Sequence, residues 1–107
     1  MVCGYVRFAA EQRPLFDVLY GADLDKSRFP ELQRAWLALD ELIGASVRAL
    51  CPDEATAEAL ETALEATAHG HAVLLLDAGA VDGDAIGQTA QRAARTALAI
   101  IAGRAAL

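Results

Sequence analysis

Glu65, His69 and His71 are the residues of this chain whose types could do chemistry, and they lie close together on one predicted helix. An H-x-H pair with a carboxylate nearby offers ligand types that suit a metal such as zinc. Helical geometry separates them: residues two apart point about 200 degrees from one another, so His69 and His71 face nearly opposite sides. Only Glu65 and His69, at i and i+4, share a face, and two ligands are too few unless other helices contribute. No metal and no cofactor are therefore expected. The same pair could act as acid and base, because a carboxylate raises the basicity of a nearby imidazole. Catalysis needs more, and the sequence offers no nucleophile motif, no glycine-rich phosphate loop and no second carboxylate clearly aimed at the same spot. The expectation is a non-enzyme with no catalytic residue, in which the pair lines a cavity or bonds to Arg92 or Arg95.

The aromatic residues supply the other candidate chemistry. Phe8, Phe16, Tyr20, Phe29 and Trp36 are gathered in the first third of the chain. They could wall a pocket for an apolar small molecule, with His69, Glu65 and Thr67 as the few polar groups that orient it. Core packing explains aromatics at helical spacing equally well.

The elements that position these residues read as helices throughout. Residues 2–12 place Tyr5, Phe8 and Ala9 on one face and Arg7 and Glu11 on the other. Pro14 ends that helix near Gln12 and opens a short second one with Leu15, Phe16, Leu19 and Tyr20, which Gly21 stops. Residues 22–29 lack an apolar period and read as a polar surface loop. From Pro30 the apolar positions Leu32, Trp36, Leu39, Ile43, Val47 and Leu50 form the clearest amphipathic helix, with Gln33, Asp40, Glu41 and Arg48 on the wet side. Pro52 breaks it, and a long helix over 52–79 follows. Pro52 suits its first turn, Asp53 and Glu54 sit at the positive end of the dipole, and Gly79 closes it. Its apolar run 72–76 implies burial on more than one side. After a tight loop holding Val81, Asp84 is the expected N-cap of a last helix reaching about Gly103.

That last helix is lined with small residues, Ala90, Ala93, Ala94 and Ala97, with Leu98, Ile100 and Ile101 adding bulk at one end. Small faces allow close approach, so the last two helices should form an antiparallel hairpin. Duplicated across a two-fold axis, the hairpin would give a four-helix bundle. A homodimer is expected, with contacts at Leu75, Ala90, Ala94, Ala97, Leu98 and Ile101.

Composition bounds the rest. At 107 residues and 55% hydrophobic, residues 1–107 form a single all-α domain of about five helices. It would bury roughly 65% of its unfolded surface. A net charge of -6 repels phosphate backbones and argues against direct DNA binding. Acids crowd 40–84 whereas 85–107 holds Arg92, Arg95 and Arg104 and no acid, which favours charge-assisted docking of the last helix. Cys3 and Cys51 lie far apart with no CxxC pair and read as reduced, partly buried small hydrophobes, which fits a cytoplasmic setting. No apolar run approaches the roughly 20 residues of a membrane span, so no membrane partner is expected.

Residues 4–21, which run from Gly4 through Tyr5, Phe8, Pro14 and Phe16 to Gly21, resemble the start of the C-terminal regulatory domain of TetR-family transcriptional regulators. There an aromatic helix ends at a proline and a short helix follows. The run Ala68-His69-Gly70-His71 with its apolar continuation to Gly79 resembles the Trp/His/Gly-containing helix of one branch of that family, and a last helix pairs with it. Glu65 stands where that branch has its tryptophan, which implies a pocket of altered shape and polarity. The resemblance implies an effector-sensing and dimerisation domain, without the helix-turn-helix head that binds operator DNA, and hence a fragment of a longer transcription regulator such as a repressor. It places a small apolar or amphipathic effector among the first three helices and the inner face of the long one, at Phe8, Phe16, Tyr20, Trp36, Leu39, Ile43, Glu65 and His69. The alternative is a free-standing dimeric helical interaction module that binds no DNA.

Overall fold

The computed structural model describes residues 1–20, 25–79 and 82–107. The chain is all-α: α1 (Val2–Glu11), α2 (Arg13–Tyr20), α3 (Pro30–Arg48), α4 (Glu54–Asp77) and α5 (Gly83–Ala102). Short 3-10 turns at Lys26–Arg28 and Arg104–Ala106 complete it. The expected stop at Gly21, residues 22–24 of the expected polar loop and Val81 lie outside the described residues.

α4 and α5 pack antiparallel as expected, but they do not enclose the core by themselves, because α1 packs on both. Val2, Val6 and Ala9 recur at helical spacing and are buried in that seam. The Cys3 thiol adds a hydrogen bond to the Ala90 carbonyl at 3.3 Å, across the α1–α5 contact. Along α4 the buried stripe Ala57, Leu60, Leu64, Ala68, Ala72, Leu75 and Leu76 runs the whole length of the helix. Leu60 has no exposed surface, and burying a leucine contributes about 2 kcal/mol. α5 answers with Ile86 and with Ala90, Ala93 and Ala97, and the small alanine side chains let α1 and α4 approach closely. α3 packs on α4 through few fully buried positions, Gly44 and Val47. The molecule measures 39 × 36 × 18 Å, about two helix layers deep, so α3 keeps Leu37, Leu39 and Leu42 exposed, and Leu50, just beyond its end, is exposed too.

The helix ends correct two expectations. Pro52 is not in the first turn of α4. Asp53 is the N-cap, and its carboxylate accepts from the Thr56 N–H at 2.7 Å, leaving Pro52 outside the helix. Nor does Asp84 cap α5. Asp82 accepts from the Ala85 N–H at 2.9 Å, and Asp84 lies in the first turn, where it still complements the dipole. Gly79 does follow the end of α4 with φ +69°, a left-handed conformation that glycine adopts without steric cost.

Charge does not dock the last helix. The ion pairs among the described residues are the local Arg13–Asp17 and Arg28–Asp25, while Arg92 and Arg95 are exposed on α5. Arg104 instead donates to the carbonyls of Leu50 and Ile101, tying the C-terminal turn to the end of α3. Apolar contact holds α5 in place.

Candidate ligand cavity

The aromatic residues converge where α1, α2, α3 and α4 meet. Phe16 and Tyr20, one turn apart on α2, sit over His69 of α4 with ring centroids 6.0 and 5.8 Å away. Tyr5 of α1 completes the group, its hydroxyl 2.7 Å from Nδ1 of His69. Either imidazole tautomer satisfies this contact: an Nε2–H ring accepts from the tyrosine O–H, and an Nδ1–H ring donates to its oxygen. His71 turns away, its Nδ1–H donating to the Thr67 carbonyl at 2.7 Å. The two histidines thus face different surroundings, as their spacing dictates.

Beside this cluster lies a cavity of about 100 Å³. Its aromatic walls are Tyr5, Tyr20 and Trp36, with Leu39 and Ile43 from α3 and Leu64 and Ala68 from α4 adding apolar surface. Asp40, Glu61 and Glu65 supply carboxylates, and among the described residues no basic side chain lines it. Tyr20 meets Tyr5 at 62° and Trp36 at 78°, both with centroids 5.6 Å apart, so the rings stand as adjoining walls. Burial raises the Tyr5 hydroxyl well above the usual phenol range, and the neighbouring Tyr20 hydroxyl and the charge of Glu65 add to it. Burial also raises Tyr20, with Glu65 and Asp40 adding, although the bond with Tyr5 opposes the shift. Both phenols therefore sit un-ionised in a negative field.

Of the residues expected at a ligand site, Tyr20, Trp36, Leu39, Ile43 and Glu65 line this cavity. His69 and Phe16 stand behind it, reaching it through Tyr5 and Tyr20. Phe8 lies on the far side of Phe16, edge-on at 6.4 Å, and packs with Ala72 and Leu76 instead. Phe29 is 51% exposed and outside the group. Glu65 forms no bond with His69, Arg92 or Arg95 among the described residues, and Thr67 serves His71 through its carbonyl rather than orienting a ligand. Gly70 has no close neighbour among the described residues: a Cβ added there would meet nothing within 4 Å. Tyr5, Asp40 and Glu61 were not anticipated. Asp40 follows Trp36 by one turn and Glu61 precedes Glu65 by one, a helical repeat that carried the signal.

The cavity adjoins an apolar groove of about 490 Å³ beside α3, lined by Leu42, Val47, Leu50 and Ile101 and sharing the walls Met1, Leu39, Ile43 and Leu64 with it. The residues expected at a dimer contact divide. Leu75, Ala90 and Ala97 are buried within the chain by α1 and the hairpin itself, Ala94 and Ile101 are half-buried, and Leu98 is 65% exposed. Cys3 and Cys51 are free and half-buried. No described helix is long and apolar enough to cross a membrane. No protein-family model, curated protein or solved structure matches this chain.

Proposed function

We propose that these 107 residues are the effector-sensing and dimerisation domain of a TetR-like transcriptional regulator whose DNA-reading part lies outside them. The observation that carries the reading is the cavity at the junction of four helices, walled by aromatics and backed by the Tyr5–His69 contact. A mostly apolar hollow with a few convergent polar groups is the usual form of a small-molecule site. The order of elements adds support: an aromatic helix, a short helix, a long helix bearing Ala68-His69-Gly70-His71, and a last helix antiparallel to it. An effector entering between α1 and α3 would act on α5 through α1, which packs on both hairpin helices. Coupling of this kind requires different effector affinities in two arrangements of the helices.

The test has two arms. Trp36 is the only tryptophan, so its fluorescence reports on the cavity during a small-molecule screen. Hits should raise thermal stability and lose that effect in Trp36→Leu. Sedimentation should show a dimer that the exposed Leu98→Glu weakens; Ala97→Arg is unsuitable because Ala97 belongs to the intrachain core. A monomer with no stabilising hit would sink the reading. One observation favours the interaction-module reading: the groove and the leucines along α3 form an apolar face, and such faces mark docking sites on many proteins. A dimer sensitive to Leu42→Glu but not to Leu98→Glu, with no ligand, would select that reading.

A further inference from the structure

The cavity and the groove differ in chemistry, one aromatic and acidic and the other apolar, and they adjoin across the shared walls Met1, Leu39, Ile43 and Leu64. We propose that together they bind an organic cation with an apolar tail, its ammonium head boxed by Tyr5, Tyr20 and Trp36 beside Asp40, Glu61 and Glu65, and its tail along Leu42 and Leu50. This inference rests on the small-molecule reading above and specifies the ligand class.

The starting point is the shape of the cavity. At about 100 Å³ it is well below the several hundred cubic ångströms of a drug-sized site, so it takes one compact group and leaves the rest of a ligand outside. Three electron-rich rings, Tyr5, Tyr20 and Trp36, line it at steep angles to one another, and clusters of aromatic rings are what recognises quaternary ammonium ions. Trp and Tyr faces bind a cation well and gain nothing from an anion.

Charge selects the same sign. Three carboxylates line the cavity, and among the described residues no lysine, arginine or histidine side chain does and none of the three is held in an ion pair. An anionic head would meet repulsion from the three carboxylates, and a neutral one would forgo the attraction. The tail follows from adjacency, because the groove lies across the shared walls Leu39 and Ile43, and its Leu42 and Leu50, 67% and 42% exposed, have surface to bury.

The experiment titrates the intact chain, at low salt and below any micellar concentration, with octyltrimethylammonium, tetramethylammonium, octanol and octanoate, reading Trp36 fluorescence. Octyltrimethylammonium should bind saturably and at least about tenfold more tightly than octanol or octanoate. Glu65→Gln and Asp40→Asn should each weaken it about threefold to fivefold and together about tenfold, while leaving octanol unchanged. Leu42→Ser should weaken the octyl compound but not tetramethylammonium. These are exposed positions on helices, so folding is expected to survive, and circular dichroism of each variant confirms it. Octanol or octanoate binding as tightly as the cation would overturn the proposal while leaving a ligand-binding domain. Cation binding unchanged in the double variant would place it elsewhere and overturn the proposal too. No saturable response to any of the four probes would also overturn it, and the screen above would then decide the broader reading.

Discussion

Tyr5→Phe removes one oxygen and leaves the ring, which makes it the sharpest probe of the cluster behind the cavity. The lost hydroxyl lies 2.7 Å from Nδ1 of His69, beside a Phe16 ring that is only 4% exposed. A hydrogen bond of this kind contributes about 0.5 to 1.5 kcal/mol net, and a fully buried partner left unpaired would raise the loss to as much as about 3 kcal/mol. His69 is half-buried, so water can replace part of the bond, and the expected cost is about 1 to 1.5 kcal/mol. For a chain of this size each kcal/mol lowers the melting temperature by roughly 4 to 8 °C. The assay is urea unfolding of wild type, Tyr5→Phe, His69→Phe and the double variant, with the slope checked for constancy across the four. His69→Phe keeps a ring next to Phe16 and Tyr20 and removes only the polar partner. The pair should show a coupling of about 0.5 to 1.5 kcal/mol, above the roughly 0.3 to 0.5 kcal/mol within which independent sites add. Additivity within that limit would show that the two side chains merely lie near one another, and the account of the cluster would be wrong.

Asp53 gives a pH prediction. Hydrogen bonds from Thr56 hold its carboxyl below the usual range, so the folded state favours the ionised form, and the stability this contributes is present above the ordinary carboxylate pKa near 4 and lost as pH falls through the lowered value. Asp53→Asn keeps a cap without a titrating group and should flatten the acid limb of urea midpoint against pH; identical limbs would remove Asp53 from the account. The two tyrosines of the chain are both in the cluster, so absorbance near 295 nm at rising pH reports on it alone. Their raised pKa values predict ionisation delayed above 10 and stability lost as pH rises past the unfolded value, and titration near 10 for both would contradict the burial described. Gly70 and Gly79 should respond oppositely to alanine in thermal unfolding. Gly70→Ala, with open space for its Cβ in a helix interior, should stabilise by about 0.5 to 1 kcal/mol, and Gly79→Ala, at φ +69°, should destabilise by about 1 to 2 kcal/mol.

The helices were legible because each is bounded by residues with a mechanism: Pro14 and Pro30 at starts, Gly79 and Gly103 at ends. The caps were less so. Asp53 follows a proline that could itself have opened α4, and Asp82 and Asp84 are equally good acceptors two residues apart, so only the path of the backbone decides which one meets an N–H three residues on. Within the site, Trp36, Leu39 and Ile43 were readable from the period of α3, and Tyr20 from that of α2. Phe8 does not line the cavity although it and Tyr5 lie three apart on one face of α1, and periodicity cannot say which neighbour each meets: both pack against the cluster of Ala9, Phe16, Ala72 and Leu76, and Tyr5 alone of the two also reaches His69 and the cavity.

The alanines of α5 pose the same ambiguity at a larger scale. A stripe of small residues signals that some helix comes close, without saying whether that helix belongs to the same chain. Here α1 takes that place, with Val2 and Val6 in one seam with Ala90, Ala93 and Ala97. That placement gives α1 two surfaces with different duties. One is locked to α4 and α5 by burial and by the Cys3–Ala90 contact, and the other presents Tyr5 to His69, Tyr20 and the cavity. A close-packed seam transmits displacement because it has no voids to absorb it. Any displacement of Tyr5 therefore works against the Val6 and Ala9 packing that holds α1 to the hairpin.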